Sequence, residues 1–446
     1  MKIIIAGAGD VGYHLAELLS YESQDIVLID LNQEVLDYAS RKLDVLAING
    51  DCTSIEILDK AEVRTANLVL AVTTSENTNL ITAILAKKMG AKKTIARVTN
   101  NEYLQKNTKK AFSELGIDAL ISPVRLAAME ILKLIQETYF TDVYDFEQGK
   151  MSMIGLTLEA CSPIKNKKLS DLYKGEMETK LRPIAILRDQ ETILPDHKTI
   201  LKENDHVYFL TNDRKKLPVN KYVGKERATI KNIMILGGSE LAYNTASLME
   251  KTFNITLIEK NRERCKFLAD KLTETLVIHG DFTNLDLLEE EGIDSMDALI
   301  SLTPNSETNI ISCLSAKKFG VHKTIAQVEN TDYLHISQNI GIDTLINKKL
   351  IAANNIFRYI RKGKIEDLTS LKGVDAELIE FVLHRDNQIT KKSISELPLP
   401  KSAVVAGIIR ANKGYIPDGD FVMQKEDKVI VFALPEAIPK IEDLFR

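Results

Sequence analysis

The chain has 446 residues, 44% of them hydrophobic and 27% charged, which suits a soluble globular protein of roughly two to four domains. Its formal net charge is -5, so it lacks the basic field expected of a nucleic-acid binder, and no apolar run approaches the ~18 residues that span a bilayer. The four cysteines, Cys52, Cys161, Cys265 and Cys313, form no C-x-x-C pair, which points away from zinc and from a redox dithiol.

The N-terminal stretch MKIIIAGAGDVGYHLAELL predicts a strand over residues 3–6, a glycine-rich loop and then a helix. The strand starts at once, which reads as the absence of a secretory leader. Few, scattered cysteines fit a reducing cytosol. Further strands are predicted over 26–30, 45–49, 68–72, 94–98 and 119–121. Helical patterns fill the gaps, for example 77–89 with Leu80, Ile84 and Leu85 on one face. Such alternation implies a parallel sheet covered on both sides. Pro123 opens a longer helix to about residue 140, since proline suits a first helical turn. A smaller lobe follows, with the strand-turn-strand segment RPIAILRDQETILPDHKTILKENDHVYFLT.

The chain then repeats itself. GAKKTIARVTNNEYL returns as GVHKTIAQVENTDYL, INGDCTSIEIL as IHGDFTNLDLL, and KIIIAGAGDVGYHLA as NIMILGGSELAYNTA. A period of about 230 residues is too long for a solenoid and implies two copies of a whole module. The expected fold is α/β: two tandem modules, each a Rossmann-like doubly wound parallel sheet followed by a small α+β C-terminal lobe. The expected boundaries are a first Rossmann-like lobe over 1–122, a crossover helix over 123–140 and a small lobe over 141–217. A basic, solvated linker over 218–230 leads to a second Rossmann-like lobe over 231–347, a crossover helix over 348–365 and a small lobe over 366–446.

Gly7-x-Gly9-x-x-Gly12 between a strand and a helix is the pattern of a nucleotide-phosphate cradle. Gly7 permits the tight turn, Gly9 lets a pyrophosphate approach the backbone, and Gly12 allows close helix packing. The helix N-terminus supplies N–H donors and a positive dipole end. Asp30 ends the second predicted strand, where a carboxylate accepts hydrogen bonds from a ribose diol and repels a 2′-phosphate. This disfavours NADP without separating ATP, ADP and NAD. Asp51 and Cys52 follow the third strand, at the adenine side; capping the next helix is equally open to Asp51. Thr73, Thr74 and Asn77 follow the fourth, either lining the ribose and phosphates or capping the helix at Asn77. Arg97 ends the fifth, where it either reaches the distal phosphates or pairs with a surface carboxylate.

The second copy departs from this pattern. Its loop reads Gly237-Gly238-Ser239-Glu240-Leu241-Ala242, Glu259 matches Asp30, Asp281 matches Asp51, and Gln327 replaces Arg97. Weaker or different nucleotide binding, or none, is expected there. A dehydrogenase needs an acid or base beside its nicotinamide, yet none of the seven histidines joins a recognisable catalytic motif. There is no Walker lysine either. A non-enzymatic sensor is therefore expected, with an NAD-dependent reductase of unidentified substrate as the alternative.

The GAGDVG loop, LID after the second strand, GD after the third, the IPDGD…KEDKVIVF lobe and the duplication together resemble the TrkA family. These are tandem RCK-domain regulatory subunits of bacterial Trk potassium uptake systems. The resemblance covers essentially the whole chain. It implies binding of NAD(H) and ATP/ADP in the first Rossmann lobe. It also implies a homo-oligomeric ring, commonly a tetramer, that is cytoplasmic and peripheral on the inner face of the membrane. That ring would gate a potassium channel subunit of the TrkH class. The implied binding residues are Gly7, Ala8, Gly9, Asp10, Val11, Gly12, Asp30, Asp51, Cys52, Thr73, Thr74, Asn77 and Arg97. Their counterparts in the second copy are Gly237, Gly238, Ser239, Glu240, Leu241, Glu259 and Asp281.

Overall fold

The structure is a computed structural model. It describes all residues except 21–23, 138–139, 173–180, 190, 213–228, 331–340, 362–364, 371–375, 385–388 and 446. Most of the expected linker, the end of the first expected crossover helix and His335 lie outside the described residues.

The first lobe contains β1 (Lys2–Ala6), β2 (Asp25–Asp30), β3 (Leu46–Asn49), β4 (Leu68–Ala71), β5 (Lys93–Arg97) and β6 (Ala119–Ile121). They form one parallel sheet in the order β3-β2-β1-β4-β5-β6. The helices are α1 (Asp10–Ser20), α2 (Gln33–Lys42), α3 (Ile55–Lys60), α4 (Glu76–Met89), α5 (Lys106–Glu114) and α6 (Pro123–Gln136). Ile3, Ile4 and Ile5 of β1 are all fully buried, as a central parallel strand covered on both faces requires. The strand order reverses between β1 and β4. That switch point opens a crevice at the C-terminal ends of the strands, where ligands of such sheets bind.

The first small lobe is an antiparallel sheet of β7 (Asp142–Phe146), β8 (Met151–Thr157), β9 (Leu181–Arg188), β10 (Glu191–Ile193) and β11 (His206–Thr211), ordered β10-β9-β11-β8-β7. A short helix, α7 (Leu169–Leu172), lies between β8 and β9 in the chain.

The second module repeats both parts. Its parallel sheet is β12 (Asn232–Leu236), β13 (Asn254–Glu259), β14 (Thr275–His279), β15 (Ala298–Ser301), β16 (Lys323–Gln327) and β17 (Thr344–Ile346), ordered β14-β13-β12-β15-β16-β17. The helices are α8 (Glu240–Met249), α9 (Arg262–Lys271), α10 (Leu285–Glu290), α11 (Ser306–Lys318) and α12 (Lys348–Arg361). Its small lobe is β18 (Ile365–Ser370), β19 (Glu377–Val382), β20 (Ala403–Arg410), β21 (Lys413–Tyr415) and β22 (Lys428–Ala433), followed by α13 (Ile438–Phe445).

The chain divides into two compact units in a way the linear order does not suggest. Residues 1–129 form one unit together with 347–360, so most of α12 belongs with the first Rossmann lobe. The other unit takes 130–346 and 361–446. Within it the two small lobes share one core: Phe146, Met151, Met153 and Leu210 of the first pack with Leu378, Ile409, Ile430 and Phe432 of the second. A Cβ on Gly407 would meet Met151 Cε at 2.5 Å, so a side chain there would have to push the ends of Met151 and Leu210 aside. Arg182 fastens the same junction by donating to the carbonyls of Val405, at 3.1 Å, and of Pro417.

Candidate nucleotide site

The loop after β1 owes its shape to three glycines with three different jobs. Gly7 has φ +105°, and a Cβ there would lie 2.8 Å from Thr73 N, so β4's following loop crosses directly against it. A Cβ on Gly12 would meet the Gly7 carbonyl oxygen at 1.8 Å. The closest constraint on Gly12 is thus the loop's own carbonyl, with Ile5 Cγ2 of β1 farther off at 3.4 Å. Gly9 differs from both: nothing lies within 4 Å of where its Cβ would be. Gly9 and Asp10 are exposed, whereas Gly7, Ala8, Val11 and Gly12 are buried. The first helical bond of α1 runs from Tyr13 N–H to Gly9 C=O at 2.8 Å, so the preceding N–H groups face the loop without partners inside the helix.

Asp30 ties this loop to β2. Its Oδ2 accepts from Ala8 N–H at 2.6 Å and its Oδ1 from Asn32 N–H at 2.8 Å. An ionised carboxylate has about four acceptor positions, so each oxygen keeps one for a further donor. Asp51 is exposed, and its Oδ1 accepts from both the N–H and the hydroxyl of Thr53 at 2.8 Å. Those bonds from Thr53 hold its carboxyl below the usual range. Asp51 closes a turn ahead of α3 and does not cap that helix, whose N-cap is Ser54. The Cys52 side chain is buried in the core, with Thr82 Oγ1 donating to its sulfur at 3.3 Å. Burial raises its thiol pKa.

Beyond β4, helix α4 starts at Glu76 and is capped by Ser75, whose Oγ accepts from Thr78 N–H at 3.3 Å. Asn77 is therefore not the cap: it sits in the first turn and is exposed, as is Thr74. The Thr73 hydroxyl donates to Asn79 Oδ1 at 2.7 Å, and its N–H to the same oxygen at 2.8 Å. Asn79 is buried, and its Nδ2 donates to the carbonyls of Thr73 and Arg97 at 3.0 and 2.9 Å. Sequence reasoning overlooked Asn79. The signal was available, because NTNL and ETNI stand at matching places in the two copies. Arg97 is half-buried and makes no ion pair among the described residues. Burial lowers its pKa, and the Asp10 carboxylate opposes that effect.

Asp10 receives a cation from far along the chain. Lys349 Nζ, on α12, lies 2.6 Å from Asp10 Oδ2.

The second loop uses its own side chains where the first is open. Ser239 caps α8, with its Oγ accepting from Ala242 N–H at 3.2 Å. Arg264 Nε donates to the Gly238 carbonyl at 2.5 Å, and its Nη2 lies 3.4 Å from Glu240 Oε2. Glu259 repeats the part of Asp30, accepting from Gly238 N–H at 2.5 Å and Asn261 N–H at 2.6 Å. Leu241 is buried in the α8 core face. Asp281 accepts from Thr283 just as Asp51 does from Thr53. Gln327 is buried and donates to Glu329 Oε1 at 2.7 Å. Ala242 stands where Gly12 stands.

The first cradle therefore fits a nucleotide: a backbone open at Gly9, helical N–H donors and a half-buried guanidinium. The comparisons with known proteins agree with this architecture. Residues 3–123 and 233–348 each match the TrkA-N domain, and residues 153–215 and 378–446 each match the TrkA-C domain. The chain belongs to the TrkA family. It is 33% identical over its full length to the full length of "Trk system potassium uptake protein TrkA homolog" from Archaeoglobus fulgidus. Its fold is that of "Crystal Structure of the GsuK RCK domain", at TM-score 0.61 and 16% identity, covering 100% of this chain and 94% of that one. "GsuK channel bound to NAD" aligns over 100% of this chain and 78% of its own length, at TM-score 0.61 and 15% identity. Like the tandem modules expected from the sequence, this TrkA-family chain has two parallel sheets and two small antiparallel ones. Among the described residues no helix is long and apolar enough to cross a membrane.

Proposed function

We propose that this TrkA-family protein is a nucleotide-sensing regulatory subunit of a Trk-type potassium uptake system, without an enzymatic activity of its own. The observation that carries the reading is the contrast at Gly9 and Ser239. One loop leaves open the space a phosphate would take, and the other caps its helix with its own hydroxyl. Gly7, Ala8, Gly9, Asp10, Val11 and Gly12 would hold the phosphates, and Asp30 the ribose. The loops carrying Asp51, Cys52, Thr73, Thr74 and Asn77 would enclose the rest, with Arg97 at the distal phosphates. NAD(H), ATP and ADP all carry the free ribose diol that Asp30 accepts. A bound nucleotide supplies the charge of its phosphates, and the protein supplies two arrangements that differ in affinity for it.

A gate needs only that difference, and a coupling of about 1–3 kcal/mol corresponds to an affinity ratio of ~5–150-fold. The partner in this reading is a membrane potassium-channel subunit of the TrkH class. The protein would sit on the cytoplasmic face of the membrane as a homo-oligomeric ring, four-membered in the simplest case. The shared family with proteins named for potassium uptake supports this.

The test is equilibrium binding of ATP, ADP, NADH and NADPH to the full chain and to Asp30→Ala. The proposal expects binding of the three with free diols, weak or no binding of NADPH, loss in the variant, and no ligand consumed. Turnover of NADH by any small carbonyl co-substrate would replace it with a reductase. Reconstitution with the channel subunit then reads the gating.

A further inference from the structure

Lys349, a cation of the second module, lies on the phosphate loop of the first, at 2.6 Å from Asp10 Oδ2. We infer that Lys349 reads the terminal phosphate of a nucleoside triphosphate in the first cradle, and that Asp10 holds the lysine in place when no such phosphate is there. This rests on the nucleotide reading of that cradle.

The argument begins with charge. Asp10 is the first residue of α1, at the helix end where phosphates bind, and its side chain is 71% exposed. A carboxylate there favours the helix dipole but repels a bound polyphosphate. The repulsion is offset by two cations: Lys349, with its Nζ at 2.6 Å, and Arg97, whose guanidinium feels the field of the same carboxylate. Asp10 thus acts on both cations much as an anionic ligand would. An ion pair this exposed holds only loosely. A phosphate terminus carries nearly twice the charge and three acceptor oxygens, so it outcompetes the carboxylate for the lysine.

The second strand of the argument is where Lys349 comes from. It lies on α12, in the same compact unit as the first Rossmann lobe but at the far end of the second. The start of that helix is fixed by Asn347, whose Oδ1 accepts from the N–H groups of Lys349 and Leu350 at 3.0 and 3.1 Å. The matching residue of the first module, in the alignment of SPVRLAAM with NKKLIAAN, is Val124. The fold of a crossover helix does not demand a lysine at this place. A ligand that ends in a third phosphate engages α12, whereas a diphosphate or a dinucleotide leaves Lys349 with Asp10. The number of phosphates is thereby passed from the first cradle to a helix of the second module.

The experiment is isothermal titration of ATP, ADP and NADH into the full chain, Lys349→Gln and Lys349→Arg. The expected result is that Lys349→Gln weakens ATP roughly tenfold, as loss of one charge-assisted bond implies, while ADP and NADH stay within about twofold. Lys349→Arg keeps most of the ATP affinity. An unchanged ATP-to-ADP ratio in Lys349→Gln overturns the inference and leaves the nucleotide reading standing. Equal loss of all three ligands means that Lys349 only supports the loop, and overturns it too. Failure of the unaltered protein to bind any of the three removes both.

Discussion

The buried amide of Asn79 donates to the carbonyl of Arg97 at 2.9 Å, and so fixes the end of β5 against the loop that follows β4. The second module repeats the arrangement: Asn309 donates to the carbonyls of Thr303 and Gln327 at 2.9 and 2.8 Å. The same side chain therefore does the same structural work beside a cradle that is open and one that is not.

Replacing either asparagine by leucine takes the side-chain donor from two carbonyls and the side-chain acceptor from one backbone N–H. A fully buried group left unpaired costs about 1–3 kcal/mol, and these losses are partial because the Asn79 site is part-buried and both sites can relax. Urea denaturation should show both Asn79→Leu and Asn309→Leu destabilised by a few kcal/mol, at about 2–4 each. Nucleotide affinity should fall only for Asn79→Leu, because only that position supports Arg97. Equal loss of affinity in the two variants would contradict the assignment of the site to the first lobe.

Gly9 and Gly12 should separate binding from folding. Gly9→Ser copies the second loop, and its Cβ enters open space. Its stability should change by about 0.5 kcal/mol or less, while ATP and NADH affinity falls at least roughly tenfold. Gly12→Ala must instead push the Gly7 carbonyl away from a 1.8 Å overlap. That variant should lose about 1–3 kcal/mol of stability, as overpacked sites do, and binding with it. Thermal melts run beside titrations read both outcomes.

One nucleotide per chain is the expected stoichiometry. Ser239 occupies the Ala242 N–H, and Arg264 bridges the Gly238 carbonyl and Glu240. Asp30→Ala should abolish binding, whereas Glu259→Ala should leave one site per chain at unchanged affinity. Two sites in a calorimetric titration would reject this account of the second loop.

Glu76 predicts a pH dependence. Burial pushes its carboxyl up, but the N–H groups of Asn100 and Thr99 and the Thr99 hydroxyl outweigh it, so the net shift is down from an ordinary 4.5. A group depressed in the folded state adds stability above its unfolded value and loses it as pH falls through the folded one. The native protein should therefore be more stable than Glu76→Gln at pH 7. The difference should shrink below about pH 4.5 and vanish at more acid pH. Denaturation midpoints at several pH values measure it.

Thiol chemistry offers a check on the cores. Cys161 is exposed, while Cys52, Cys265 and Cys313 are buried. Burial raises all three buried thiols, Cys313 most strongly. An alkylating reagent at neutral pH should label Cys161 first and the other three only as the chain unfolds, since the thiolate is the reactive form. Peptide mass mapping over time gives the order.

Much of the first cradle is legible in the sequence because its parts are local. Gly7, Gly9 and Gly12 lie in one loop between a recognisable strand and helix, and Asp30 ends the next strand. Periodicity places each at the C-terminal edge of the sheet. The caps were less legible. Ser75 and Asn77 are both good N-cap residues two positions apart, and only the backbone conformation at Ser75 decides between them. Asp51 was ambiguous for the same reason: a carboxylate before a helix closes a turn as readily as it caps.

By itself, the sequence determined the duplicated α/β plan, the open loop of the first copy and the altered loop of the second. Short-range pattern and side-chain type suffice for those. Only the tertiary structure decided that Lys349 meets Asp10 at 2.6 Å, that Arg264 occupies the second loop, and that Met151 and Phe432 share a core. These contacts join residues whose local patterns say nothing of each other. Their meeting depends on how α12 and the two small sheets bury their apolar faces, a choice made by packing across the whole chain.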